Sequence, residues 1–139
     1  MKRDLGDGFE VDDDPSRIDV DAVHRFLANE SYWARDRDLE TVRTIVGEAA
    51  RVVGVYHDGE LVGFCRAARC APKLFYLADV YVVDAYRGRG LGVELVREMI
   101  DNGPHADAKW FVHTEDAHSL YERFGFEKPD YKLMERPRR

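Results

Sequence analysis

Two cysteines, Cys65 and Cys70, are all that the 139 residues carry. That is too few for a disulfide framework, and in a reducing compartment both should be free thiols. Histidine and cysteine nowhere fall at zinc-ligand spacing, so no metal site is expected. No stretch approaches the ~20 apolar residues that cross a bilayer, so no membrane association is expected. The start, Met1-Lys2-Arg3-Asp4-Leu5-Gly6, has no apolar run behind its charges and does not read as an export signal. The cytoplasm is the expected location. Basic charge is scarce too. The formal net charge is −6, which argues against a nucleic-acid partner, because phosphate backbones are held by basic patches. The basic tail Arg136-Pro137-Arg138-Arg139 reads as a solvated end. Mild acidity suits a cationic small molecule.

What is present suffices for a globular core. Apolar residues make up 45% and charged residues 35% of the chain, a balance of core and solvated surface. The length fits one domain over 1–139. Phe9 to Asp12 reads as a first strand. Val20, Val23 and Leu27 recur as one face of a helix, with Asp19 as its N-cap. Leu39, Val42, Val46 and Ala49 repeat the pattern after the link Ser31-Tyr32-Trp33-Ala34. Val52–Tyr56 and Leu61–Phe64 are β-rich runs joined by Asp58-Gly59, a hairpin signal. Phe75–Val83 is a long apolar run interrupted by Asp79. Leu91, Leu95, Met99 and Ile100 mark a third helix, closed by Asn102-Gly103-Pro104. Lys109–Thr114 reads as a fifth strand. Ala117, Leu120, Tyr121 and Phe124 line a fourth helix with Gly125 just past its end, and Lys132–Glu135 reads as a final strand. The predicted order β, α, α, β, β, β, α, β, α, β implies an α/β fold, a mixed sheet with helices on both faces.

The segment Val80 to Gly92 runs from strand through a glycine-rich loop into a helix. Glycines allow a tight turn and a close backbone approach to ligand, and the helix start supplies free N–H groups to phosphate oxygens. Arg87 and Arg89 add positive charge. The spacing is wrong for a dinucleotide fingerprint, whose third glycine would fall at Val93, and wrong for a P-loop, which needs a lysine.

Arg87-Gly88-Arg89-Gly90-Leu91-Gly92 resembles the [QR]-x-x-G-x-[GA] loop of the GNAT acyltransferases, which clasps the pyrophosphate of acetyl-CoA. Downstream, Ala117-His118-Ser119-Leu120-Tyr121-Glu122-Arg123-Phe124-Gly125-Phe126 resembles the family's A-x-x-L-Y-x-x-x-G-F segment. The resemblance covers nearly the whole chain. It implies an acetyl-CoA-dependent N-acetyltransferase in which the family's strands four and five splay around acetyl-CoA and a primary amine attacks directly in a ternary complex. It further implies that backbone groups of Tyr81, Val82 and Val83 bond the pantetheine arm, and that Arg87, Gly88, Arg89, Gly90, Leu91 and Gly92 hold the pyrophosphate. Thr114 stands where the family often has an asparagine that bonds pantetheine.

By the same resemblance Tyr121 is the acid that protonates the departing thiolate. A phenol with a pKa of about 10 stays protonated beside a thiol of about 8.5. Leu77-Ala78-Asp79-Val80-Tyr81-Val82 resembles the L-E-D-x-x-V strand of polyamine-acetylating members, in which the aspartate helps hold the amine and the preceding glutamate relays its proton. Ala78 replaces that glutamate here, so the base is open between Asp79, a water and His113. A carboxylate in an apolar strand is costly unless paired or used, and a purely structural Asp79 is the competing account. Tyr32 and Trp33 offer an aromatic face to a cationic amine, or plug the core. Asp116 is expected to cap the fourth helix, and His24, His57, His105 and His118 read as surface or loop residues. A non-catalytic acyl-CoA-binding or sensor module is the alternative function. The sequence leaves the acceptor unnamed and allows a homodimer.

Overall fold

The computed structural model describes residues 1–129 and 132–137. Among these residues six strands form one sheet in the order β1-β2-β3-β4-β5-β6. They are β1 (Arg3–Gly6), β2 (Phe9–Asp12), β3 (Arg51–His57), β4 (Glu60–Ala71), β5 (Leu74–Val82) and β6 (Lys109–Val112). The first four pairings are antiparallel and β5 with β6 is parallel. The helices are α1 (Val20–Glu30), α2 (Leu39–Glu48), α3 (Leu91–Met99) and the short α4 (His118–Glu122).

Local chemistry explains the boundaries. Asp19 and Asp38 each turn a carboxylate back onto the third backbone N–H beyond them, Ala22 and Thr41, and so start α1 and α2. Asp58-Gly59 makes the expected turn with positive φ at both residues. Asp7-Gly8 does the same, and it closes a hairpin that the sequence reading lacked. The N-terminal strand β1 pairs there with β2. At the other end the expected strand Lys132–Glu135 is absent, since those residues carry no strand pairing. A fifth strand expected to Thr114 ends at Val112.

Both faces of the sheet are covered. Val53, Val55, Cys65, Phe75, Leu77, Leu95 and Met99 pack between the sheet and α3. Phe26, Leu27, Val42, Val52, Phe64 and Tyr81 pack between the sheet and α1 and α2. A strand buried on both faces loses its polar alternation, which is why Val52 and Val53 are adjacent and both buried. Full burial of a side chain such as Leu95 contributes about 2 kcal/mol.

One irregularity organises the functional region. Phe64 pairs with Tyr81 but Arg66 pairs with Ala78, so β5 carries an extra residue there. Asp79 sits in that bulge at φ 54. A bulge shifts the alternation of side chains by one. Phe75 and Leu77 therefore face α3, whereas Tyr81 faces α1 and stacks on Phe26 at 3.8 Å.

Candidate active site

Parallel pairing of β5 with β6 runs from Leu74–Lys109 to Leu77–Val112 and then stops. β5 continues to Val82. From Ala78 onward its outer edge has no strand beside it among the described residues. The amide of Val83 donates to the Val62 carbonyl of β4 at 2.8 Å. Because successive backbone groups alternate in direction, Val82 turns its N–H and C=O to the open edge. The Val82 carbonyl accepts from Arg87 Nε at 3.2 Å. A cavity of about 800 Å³ occupies this gap.

At one end the cavity meets the loop into α3. Gly88 and Gly90 have φ of 82° and 78°, where a Cβ would be strained. Gly90 caps α3 without a side chain, so the first N–H groups of the helix have no partner along it. Arg87, Gly88, Gly90, Leu91 and Gly92 line the cavity. Arg89 does not. Its guanidinium lies 5.5 Å over the Phe9 ring, in a separate hollow with Leu5 and Glu94.

Tyr121, on α4, lines the same cavity and is largely buried. Burial drives its phenol well above the ordinary value, with nearby ionisable groups adding to the effect. Gly125 follows α4 at φ 84 and carries the helix end, with Phe126 donating to the Tyr121 carbonyl at 3.3 Å. Thr114 Oγ1 accepts from the Ala117 amide at 2.9 Å. The cap that the sequence suggested for Asp116 is not made, because the N-cap of α4 is Ala117, with no side-chain cap bond. Asp116 itself, like Thr114, lines the cavity. The shared hollow contains neither Arg89 nor Val83, but it does contain Tyr32, Trp33, Asp79, Tyr81, Val82 and Thr114.

Asp79 is engaged on every side. Oδ1 accepts from Trp33 Nε1 at 2.7 Å and Arg37 Nη1 at 3.0 Å, and Oδ2 accepts from Arg37 Nη1 at 2.9 Å and Arg66 Nε at 2.6 Å. These four contacts match the four lone-pair sites of a carboxylate. Burial pushes its pKa up, and Arg66, Arg37 and Trp33 together more than reverse this, so the group stays below the ordinary value. Tyr32 packs edge-on to Trp33 at 5.1 Å, and its hydroxyl accepts from the Glu115 amide at 3.3 Å. Both aromatics are exposed to the cavity rather than sealed in the core. Across the gap, Tyr76 Oη lies 2.8 Å from His113 Nδ1, and His113 Nε2 lies 3.2 Å from Glu135.

The sequence model of the acetyltransferase (GNAT) family matches residues 17–126, a span holding every residue that lines the cavity. This chain belongs to the GNAT family of acetyltransferases. A crystal structure from Xanthomonas campestris, assigned to the GNAT family, is 32% identical, with a TM-score of 0.85 over 93% of this chain and 92% of that one. A GNAT acetyltransferase from Brucella melitensis, solved in complex with acetyl-CoA, shares the fold at a TM-score of 0.69 and 18% identity, over 86% and 83% of the two chains. The mycothiol acetyltransferase of Nocardia farcinica is 40% identical over 65 residues, 47% of this chain and 21% of that protein. The N-alpha-acetyltransferase RimI of Mycobacterium tuberculosis is 33% identical over 81 residues, 55% of this chain and 51% of that protein. The chain thus spans about half or less of the curated relatives it matches.

Within this GNAT chain, sequence reading missed Arg37, Arg66 and Tyr76 in the cavity lining, and Glu135, which meets His113 from outside that lining. Arg37 sits in Arg35-Asp36-Arg37-Asp38, which looks like a solvated link. Arg66 is a charged residue inside the apolar strand Phe64-Cys65-Arg66-Ala67, the same kind of signal that singled out Asp79. Tyr76 and Glu135 gave no signal that separated them from ordinary strand and tail residues. No group of three or more His, Cys, Asp or Glu among the described residues is placed to hold a metal. Among the described residues no helix is long and apolar enough to cross a membrane.

Proposed function

We propose that this chain moves an acetyl group from acetyl-CoA to a primary amine, with both substrates in one cavity. The observation that carries the reading is the open edge of β5 beyond Leu77, continuous with the glycine loop and with Tyr121 in the same hollow. An extended amide chain can add to such an edge as a strand does. At the loop, the αL glycines leave open space where a Cβ would stand, which suits close approach by a pyrophosphate. Acetyl-CoA would supply the activated thioester.

The rest is done by the chain. The Val82 N–H can donate to a carbonyl oxygen as charge grows on it, and one such donor is worth roughly 3–4 kcal/mol. Tyr121 Oη holds its proton at working pH and gives it to the departing sulfur. Asp79 has no spare lone pair for the amine, so its role on this reading is to position Trp33, Arg37 and Arg66. His113 takes the proton from the amine. Glu135 beside Nε2 fixes the N–H there, which leaves Nδ1 to accept from the Tyr76 hydroxyl. Tyr76 then passes the amine's proton to His113 Nδ1, and Glu135 stabilises the resulting imidazolium.

A titration with acetyl-CoA and a thiol-release assay against an amine library test the reading. Wild type should bind acetyl-CoA, and Gly90→Glu should weaken binding by at least about a hundredfold, since it adds strain and negative charge at the pyrophosphate loop. Unchanged affinity in that variant removes the assignment. Binding without thiol release for any amine leaves a non-catalytic acyl-CoA-binding module.

A further inference from the structure

The acceptor end of the cavity carries a charge imbalance. Arg37 and Arg66 both pair with Asp79, whose side chain is 2% exposed. Among the described residues, Asp79 is the one carboxylate within ion-pair distance of either guanidinium. Two positive charges against one negative leave an excess of one positive charge on the cavity floor. Each guanidinium has five N–H donors. Arg37 commits Nη1 and Arg66 commits Nε. Among the described residues, no acceptor meets Nε and Nη2 of Arg37 or the two Nη groups of Arg66. Both side chains line the cavity and remain partly exposed to it, at 24% and 14%.

The acidic groups of the cavity lie elsewhere. Glu30, Glu115 and Asp116 are exposed at its wall, and none is within ion-pair distance of the two arginines. The cavity therefore has an acidic rim and a basic floor. A purely cationic amine would meet an uncompensated positive charge at the floor. An amine that also carries an oxyanion would meet planar donors suited to bidentate contact.

We infer that the acceptor amine carries an oxyanion, in the simplest case a carboxylate, and that Arg37 and Arg66 bind it through their uncommitted N–H groups. The inference rests on the acetyl-transfer reading for its acceptor. It narrows the class from any cationic amine, which overall acidity favours, to amino-acid-like molecules. Asp79 limits the attraction by neutralising one of the two charges.

The experiment reads binding rather than turnover. N-acetyl derivatives of the common amino acids, which carry the carboxylate but no ammonium, are titrated against the corresponding N-acetyl amino-acid amides by ligand-observed NMR. At least one acid should bind wild type roughly tenfold more tightly than its amide. Arg37→Gln should erase most of that preference. Asp79→Asn leaves both arginines without a charged partner and should strengthen acid binding. The opposite signs separate charge recognition from loss of shape, and Arg37→Gln alone decides the matter if the Asn variant does not fold. The inference is overturned if no acid binds better than its amide, or if Arg37→Gln leaves the preference intact. Acetyl-CoA is titrated into the same samples. Its failure to bind wild type would remove the acetyltransferase reading, whereas the acid-over-amide preference stands or falls separately.

Discussion

The two ends of the cavity are built by different means. The α3 end is made of backbone: the Val82 edge, two left-handed glycines and the first turn of a helix. The other end is made of side chains brought from far apart in the chain: Trp33 and Arg37 from the α1–α2 link, Arg66 from β4 and Asp79 from the β5 bulge. Backbone geometry needs few residue identities beyond glycine, so on the proposed reading one loop would serve a common cosubstrate. A side-chain constellation can change residue by residue, so on the acetyl-transfer reading it is where acceptor choice would reside. The bulge at Asp79 is the boundary. Before it, β5 is paired on both sides, and beyond it only β4 remains.

Tyr121 tests the comparison where the two ends meet. Tyr121→Phe keeps the ring and removes one hydroxyl. kcat should fall ~10²–10⁴-fold, the range for general acid catalysis, while acetyl-CoA affinity barely changes. Burial raises the phenol's pKa, so the protonated acid persists to higher pH than a free tyrosine. In wild type no alkaline fall in kcat below about pH 10 should come from Tyr121. A Phe variant that keeps more than about a third of wild-type kcat, with chemistry rate-limiting, shows that another group protonates the sulfur.

His113 sharpens the acceptor side. His113→Gln should lower kcat/KM about a hundredfold, at the low end of base catalysis, because the site is open and water can substitute in part. The loss should shrink as pH rises and more of the amine is neutral without help. A pH-independent loss, or none, assigns the proton to water.

How far the sequence carried differs along the same divide. The glycine loop and the Tyr121 segment were legible because their chemistry is local, set by spacing within about a dozen residues. The helices read well because Asp19 and Asp38 cap them within one turn. β1 was not legible. Arg3-Asp4-Leu5-Gly6 has one apolar residue, and its pairing depends on the Asp7-Gly8 turn and on β2 being present. The role of Asp79 was half legible. Its cost in an apolar strand was plain, yet its partners lie 13, 42 and 46 residues before it in the chain. Such contacts exist only after the sheet has formed and the bulge has turned the residue into place.

The smallest expected effect separates the two arginines of the loop, which the sequence treats alike. Arg87 lines the cavity and its Nε is held on the Val82 carbonyl, so its charge faces the gap. Arg89, one residue beyond Gly88, is carried to the other side of the loop. There it lies over Phe9 and joins the hollow beneath α3 with Glu94. An exposed cation over a ring is worth about 0.5–1 kcal/mol, and here it contributes to docking β2 against the loop. Arg87→Gln should therefore weaken acetyl-CoA binding severalfold, and the loss should diminish in high salt, where a solvent-exposed charge is screened. Arg89→Gln should change affinity by less than about twofold and lower stability by a few tenths of a kcal/mol to about 1 kcal/mol. Parallel titrations of the two variants at low and high salt make the comparison. Equal losses of affinity would mean that Arg89 leaves the Phe9 ring to meet the phosphates, and the loop would then hold its ligand by two mobile charges as well as by fixed N–H groups.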